Sequence, residues 1–224
     1  LPVGQAYGLA MRGVRPVVEL DGVDGLWRAM MHVKNELATA RFRKAGGYAA
    51  PVILRVPVGP GGSEGETVMA KVPGLRVMAP SSEEDARGLL AAALAGGDPV
   101  MFFEPRAQFS AGWAKQVSAH DARVEPGRAR IARAGSDVTV VAWGWTVAVA
   151  LEAAARGEAS ESRGASVEVL DLRTLAPWDI EGVLASVRRT GRLVVLEHDV
   201  QAHGFGAEVV ATVVREAFAS LRSA

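Results

Sequence analysis

The sequence predicts an α/β protein made of two three-layer α/β/α domains with mainly parallel sheets. Three observations lead there. Short β-branched runs alternate with longer helical patterns, the rhythm of strand–helix–strand units joined by right-handed crossovers. Most strand candidates are unbroken apolar runs, as strands covered on both faces require. One stretch, Pro105–Asp137, loses the rhythm and divides the chain into a domain over 1–105, a connecting segment over 106–136 and a second domain over 137–224.

The first strand is expected over Pro16–Leu20. A long helix follows over Leu26–Lys44, ending in Arg41-Phe42-Arg43-Lys44, charges that suit a helix C-terminus. Val52–Val58 reads as a second strand, and Pro57–Glu66, with Gly59-Pro60-Gly61-Gly62-Ser63, as a loop by composition. That loop is either plain and flexible or a ligand loop at the carboxyl end of a buried strand, where open α/β sheets bind their ligands. Leu75–Ala79 is the third strand. The helix Glu83–Ala95 has Ser82 as its cap and Glu83-Glu84-Asp85 as an acidic first turn. Val100–Glu104 closes the first domain. The second alternates Val138–Trp143, helix Thr146–Ala155, Ser166–Leu172, helix Asp179–Thr190, Leu193–Glu197 and helix Ala207–Arg222. Pro177-Trp178 opens the helix at Asp179, and Gly191 stops it.

Composition narrows the function. The hydrophobic fraction of 49% supports a real core, and no apolar run approaches the length of a membrane span. Cysteine is absent, which removes disulfides, thiolate nucleophiles and cysteine metal sites. The 25 basic and 25 acidic residues balance, so the one-sided basic footprint of a nucleic-acid binder is missing. No signal peptide is legible at the start, and a cytoplasmic protein without nucleic-acid or membrane partners is expected. The first residues are Leu1-Pro2-Val3-Gly4 rather than Met, as expected of a chain that begins inside a longer natural sequence.

Several segments carry a family resemblance. Gly13-Val14-Arg15-Pro16-Val17-Val18-Glu19-Leu20 resembles a "GLRPVVEI" strand, and Pro73-Gly74-Leu75-Arg76-Val77-Met78-Ala79-Pro80-Ser81 a "PGLKVVMPS" segment. Asp98-Pro99-Val100-Met101-Phe102-Phe103-Glu104-Pro105 follows in order. Asp171-Leu172-Arg173-Thr174-Leu175-Ala176-Pro177-Trp178-Asp179 resembles "DLRTLxPxD", and His203-Gly204-Phe205-Gly206-Ala207-Glu208-Val209 a "GGFGAEI" element. Together, over nearly the whole chain, they resemble the β subunits of thiamine-diphosphate-dependent 2-oxoacid dehydrogenases of the pyruvate and branched-chain type.

The resemblance implies a pyrimidine-binding domain followed by a transketolase C-terminal-like domain. It implies an α-type partner in an α2β2 heterotetramer, with a lipoyl acyltransferase component downstream. The cofactor would be thiamine diphosphate, its magnesium held mainly by the partner chain. The family glutamate that exchanges a proton with the pyrimidine would fall just before Leu1. Asp21, Gly22 and Gly25 stand at the cofactor positions, with Gly22 where an aromatic residue is usual. On their own, without the resemblance, Asp21-Gly22 and Asp24-Gly25 read as a pair of turns. The family's loop histidine has no counterpart near Gly62, although Glu66 matches that loop's glutamate. His198 and His203 become the candidate catalytic residues, against a purely structural role. His32 reads as a surface residue and His120 as solvated. A potassium ion is implied at the backbone of Ala50, Val52, Ile53, Ala93 and Gly96, with Asp98 where Asn is frequent; on its own the stretch reads equally as an ordinary helix-to-strand turn with Gly96-Gly97. Two other readings stay open: a two-subunit transketolase-like enzyme that forms a carbon–carbon bond, and a structural or regulatory partner with a decayed site.

Overall fold

The computed structural model describes residues 2–59, 64–106, 124–158 and 164–222. The first half runs α1 (Pro2–Met11), β1 (Val17–Glu19), α2 (Gly22–His32), a π turn (Val33–Leu37) and α3 (Ala40–Arg43). It continues with β2 (Ile53–Val58), α4 (Glu64–Ala70), β3 (Arg76–Met78), α5 (Glu83–Ala95) and β4 (Val100–Pro105). The second half runs β5 (Arg130–Arg133), β6 (Val138–Ala142), α6 (Thr146–Glu158), β7 (Val167–Asp171) and β8 (Thr174–Ala176). It ends with α7 (Ile180–Thr190), β9 (Leu193–Leu196), α8 (Phe205–Ala217) and a short 3-10 turn (Phe218–Ser220).

Two sheets result. The first has the order β1-β2-β4-β3-β8, the second β5-β7-β6-β9. The pairings β1·β2, β2·β4 and β3·β4 are parallel, as are β6·β7 and β6·β9. Each sheet gains one antiparallel edge: β8 on β3, and β5 on β7. The expected α/β class with mainly parallel sheets is therefore present. The central strands are apolar because both their faces are covered. All of β4 is buried, and Phe102 and Phe103 are fully so. Burying each phenylalanine contributes roughly 1.5–3 kcal/mol.

The structure departs from the sequence reading at the margins. The long helix expected over Leu26–Lys44 starts at Gly22 and passes through a π turn before α3. Gly74 explains the packing there: at φ 88° its Cβ would lie 2.1 Å from the Ala38 carbonyl oxygen, so only glycine fits. Helix α1 occupies a segment left unassigned, burying Val3, Ala6 and Ala10. Helix α4 begins inside the expected loop Pro57–Glu66. Strand β5 lies within the stretch read as a connection, and β8 within the "DLRTL" signature. The caps are as expected. Ser82 Oγ accepts from the Asp85 amide at 3.1 Å, and Gly191 closes α7 at φ 73°.

Because β8 leaves the second half to join the first sheet, the two sheets share one core. It runs from Leu26, Leu54 and Met69 to Val141, Leu172 and Val209. A buried charge network sits at the joint. Asp171 Oδ2 accepts from Ser81 Oγ and, at 3.1 Å, from Arg130 Nη2. The same Arg130 nitrogen reaches Asp85 at 2.9 Å, and Arg173 Nη1 reaches Asp85 at 3.2 Å. Burial and the neighbouring Asp85 push the Asp171 carboxyl up to about 6, against the pull of Ser81 and Arg130.

Candidate functional site

Parallel strands deliver their next residues to one end of a sheet, and two such ends stand out here. The first is the carboxyl end of β1, β2 and β4. Asp21 and Gly22 follow β1, and Arg106 follows β4. Gly22 has φ 65°, and a Cβ there would meet the Pro57 carbonyl oxygen at 3.6 Å and Arg106 Nη2 at 3.8 Å. Its missing side chain thus leaves backbone open at the strand ends. The Asp21 side chain is 92% exposed and lies 4.0 Å from Arg106 Nη2. Gly25 instead packs inward, where a Cβ would touch Leu20 Cβ at 3.6 Å. Beneath this end, Arg55 holds Glu104 through two bonds of 3.0 and 2.6 Å and Glu19 through one of 3.3 Å. The pairing with Glu104 raises the Arg55 pKa and keeps the three strands in register.

The second end lies in the other sheet, where β7 and β9 flank β6. The chain passes from β6 to β7 on one side of it and later returns to β9 on the other, and such a reversal is the switch point at which these sheets open a crevice. Trp143-Gly144-Trp145 follow β6, Glu197-His198-Asp199 follow β9, and Phe205 and Gly206 begin α8. Helix α4 of the first domain fills the crevice. Trp143 Nε1 donates to Glu66 Oε2 at 2.7 Å. Thr67 Oγ1 donates to Asp199 Oδ2 at 2.5 Å and accepts from the Phe205 amide at 3.2 Å. The Gly206 amide donates to Glu197 Oε2 at 2.9 Å. Burial pushes the Glu66 carboxyl up to about 7, with Asp199 and Glu197 adding to the rise and the Trp143 indole opposing it. Burial likewise raises Glu197.

Both candidate histidines stand at this second crevice rather than at the first sheet's strand ends. The His198 ring packs edge-on against Trp145 with centroids 4.8 Å apart. His203 is exposed in the left-handed region at φ 62°, and its carbonyl accepts from Lys71 Nζ at 3.3 Å. His32 pairs with Glu36 on the surface at 2.9 Å, as expected. His120 and Gly62 lie outside the described residues. The sequence marked Glu66 but not its partnership with Trp143. The legible signal was that both Trp143-Gly144-Trp145 and Glu197-His198-Asp199 end apolar strands.

Several of the oxygens expected around a potassium ion already accept from protein donors. The Val52 carbonyl accepts from the Val100 amide at 2.9 Å, and the Ala50 carbonyl from the Val52 amide at 2.7 Å. Ile53 is held in the strand ladder between Val17 and Val100. Beside Ala93, Arg15 Nη1 donates to the Gly96 carbonyl and, at 2.6 Å, to that of Leu94. Asp98 is taken by Arg41 at 2.6 Å and Arg76 at 3.0 Å. Those bonds hold its carboxyl below the usual range despite burial. Three guanidinium groups already supply positive charge where the ion would add more. Among the described residues no cluster of three or more His, Cys, Asp or Glu could hold a metal ion. A cavity of about 420 Å³ opens beside the Arg41–Asp98–Arg76 group, lined by Leu37, Val72, Pro73 and Pro177, apart from both crevices.

The comparisons with known proteins agree with this architecture. Residues 2–110 match the transketolase pyrimidine binding domain, and 127–224 the transketolase C-terminal domain. A solved chain described as a split gene transketolase, inactive beta4 tetramer, superposes with TM-score 0.81 at 28% identity, covering 96% of this chain and 67% of that one. The fold is thus of the transketolase type. The pyruvate dehydrogenase E1 component subunit beta of Leifsonia xyli is 41% identical over 99% of this chain and 66% of its own length. That of Acholeplasma laidlawii is 36% identical over 99% of this chain and 69% of its own length. The mitochondrial 2-oxoisovalerate dehydrogenase subunit beta of Dictyostelium discoideum is 36% identical over 98% and 61%. The chain belongs to the family of the E1 β subunits of pyruvate and branched-chain 2-oxoacid dehydrogenases, and spans about two thirds of the length of the relatives it matches.

Proposed function

We propose that the chain is the β-type half of a thiamine-diphosphate-dependent 2-oxoacid dehydrogenase. It pairs with an α-type chain, in an α2β2 assembly, to decarboxylate a 2-oxoacid and pass the acyl group to a lipoyl carrier. The observation that carries this reading is similarity to E1 β subunits over nearly the entire chain. When bound, thiamine diphosphate supplies the carbanion chemistry, and protein groups supply position and electrostatics. On this chain Gly22, at the ends of β1 and β2, is the residue that would lie against the aminopyrimidine of the bound cofactor. Asp21 and Arg106 put one charge of each sign beside it. Arg55 keeps those strand ends fixed through Glu19 and Glu104. By the family resemblance, the carboxyl that exchanges a proton with the pyrimidine would come before Leu1, and magnesium would be held mainly by the α-type chain.

The test reconstitutes the natural full-length protein with its α-type chain and offers 2-oxoacids with an artificial electron acceptor. Thiamine-diphosphate-dependent release of carbon dioxide is expected. No turnover by any 2-oxoacid overturns the reading. The likeness to a split gene transketolase favours a second one, a two-subunit carbon–carbon-forming enzyme. A coupled product from an aldehyde acceptor, without acyl transfer to lipoamide, selects it.

A further inference from the structure

The crevice at the switch point of the second sheet has the parts of a ligand site. It lies at the carboxyl ends of β6 and β9, beside the first amides of α8. Its occupant is the protein's own helix α4. Thr67 meets the Phe205 amide at 3.2 Å and Asp199 at 2.5 Å, and Glu66 meets the Trp143 indole at 2.7 Å. Glu66, Glu197 and Asp199 therefore face one another across the boundary between the domains.

The other neighbours of α4 offer Glu66 little charge compensation. At Gly65 the approach from α2 and β4 is apolar: a Cβ there would meet Leu26 at 3.0 Å and Phe103 at 3.2 Å. Strand β8 brings Thr174, Leu175 and Ala176, none of them titratable. From β3, Arg76 is engaged with Asp98. From α8, Glu208 accepts from Thr212 Oγ1 at 3.3 Å. On α4 itself Lys71, just past its end, donates to the His203 carbonyl, and on the β9 loop His198 packs on Trp145. A buried carboxylate among two others is costly unless one is neutral.

We propose that α4 is a proton-controlled bolt: with the Glu66 carboxyl protonated it seats in the second domain's crevice, and loss of that proton drives it out and opens the crevice. The proton is exchanged with solvent, and no covalent bond changes. This inference does not depend on the cofactor reading.

Hydrogen exchange of the full-length chain, read by mass spectrometry from about pH 5.5 to 8.5 as protection factors, tests it directly. Peptides spanning 64–70 and 204–209 should lose protection roughly tenfold to a hundredfold as the pH rises. Peptides from β2 and β4 should not follow. Glu66→Gln, a neutral isostere, should hold both segments protected at every pH. Asp199→Asn removes a charge that raises Glu66, so it should shrink the loss of protection and complete it at lower pH without abolishing it, and it keeps the test available where the glutamine variant fails to fold. A pH-independent wild type overturns the proposal, as does an unchanged pH response in Glu66→Gln or an unmoved transition in Asp199→Asn. A purely structural role for Glu66 would change protection by the same factor at all pH values.

Discussion

The two sheets end in crevices of the same topological kind and use them in opposite ways. At the first, the side chains near Gly22 are sparse and exposed, and backbone lies open. At the second, Trp143, Phe205, Glu66 and Thr67 are buried, and the crevice is closed by the other domain. One fold rule therefore produces an open, exposed strand end and, a domain later, an internal joint. The difference lies in the residues just past each strand. Glycine and a short polar residue come after β1, whereas two tryptophans come after β6 and the carboxylates Glu197 and Asp199 after β9.

Experiments that break the contrast should rank by burial. Phe103→Ala removes a fully buried side chain between α4 and β4 and should cost about 3–5 kcal/mol in denaturant unfolding. A cost below about 1 kcal/mol would show that the first sheet tolerates the cavity. Arg130→Met removes the cation that Asp85 and Asp171 share at the joint, leaving Asp85 to Arg173 and Asp171 to Ser81, and should cost roughly 2–3 kcal/mol, less than for a fully buried pair because the arginine is 40% exposed. Its midpoint should fall most at neutral pH.

Trp143→Phe strips the buried Glu66 of its indole donor and should cost about 1–3 kcal/mol. The folded carboxyls of Glu66 and Asp171 titrate near 7 and 6, above their ordinary values of 4.5 and 3.8, so folding takes up protons. Stability from these two groups is full below their ordinary values and declines as pH rises through the folded ones. For Glu66 the fall amounts to roughly 3 kcal/mol, and Glu66→Gln should flatten that part of a melting-temperature profile. At the open crevice Asp21→Asn should leave stability within about 0.5 kcal/mol, because the side chain is 92% exposed. Its effect should appear only in thiamine diphosphate affinity of the reconstituted αβ complex, measured calorimetrically. Unchanged affinity would remove Asp21 from the site.

Legibility followed the same gradient. Strands β2, β4, β6 and β7 were readable because burial on both faces writes itself into the sequence as apolar runs. Strands β5 and β8 were not. Each is a short edge strand paired antiparallel to a single neighbour, and its own residues carry no such run. Helix α1 escaped because small residues bury its face, and α4 because it begins close to a glycine-rich loop. At the site, Asp21 and Gly22 were legible as a departure from a familiar motif. The Glu66–Trp143 bond spans 77 positions, and no local pattern announces it.

The sequence by itself determined the α/β class, the parallel central strands, the caps at Ser82 and Gly191 and the family, because each is written in short-range periodicity or in ordered motifs. Only the tertiary structure decided where the charges go. It turned Arg15 onto the Gly96 carbonyl and Arg41 and Arg76 onto Asp98, placed His198 and His203 at the second crevice, and seated α4 between Trp143 and Asp199. The physical reason is range. Side-chain periodicity acts over a few residues, whereas the burial that makes a carboxylate or a guanidinium seek its partner exists only once distant segments have packed together.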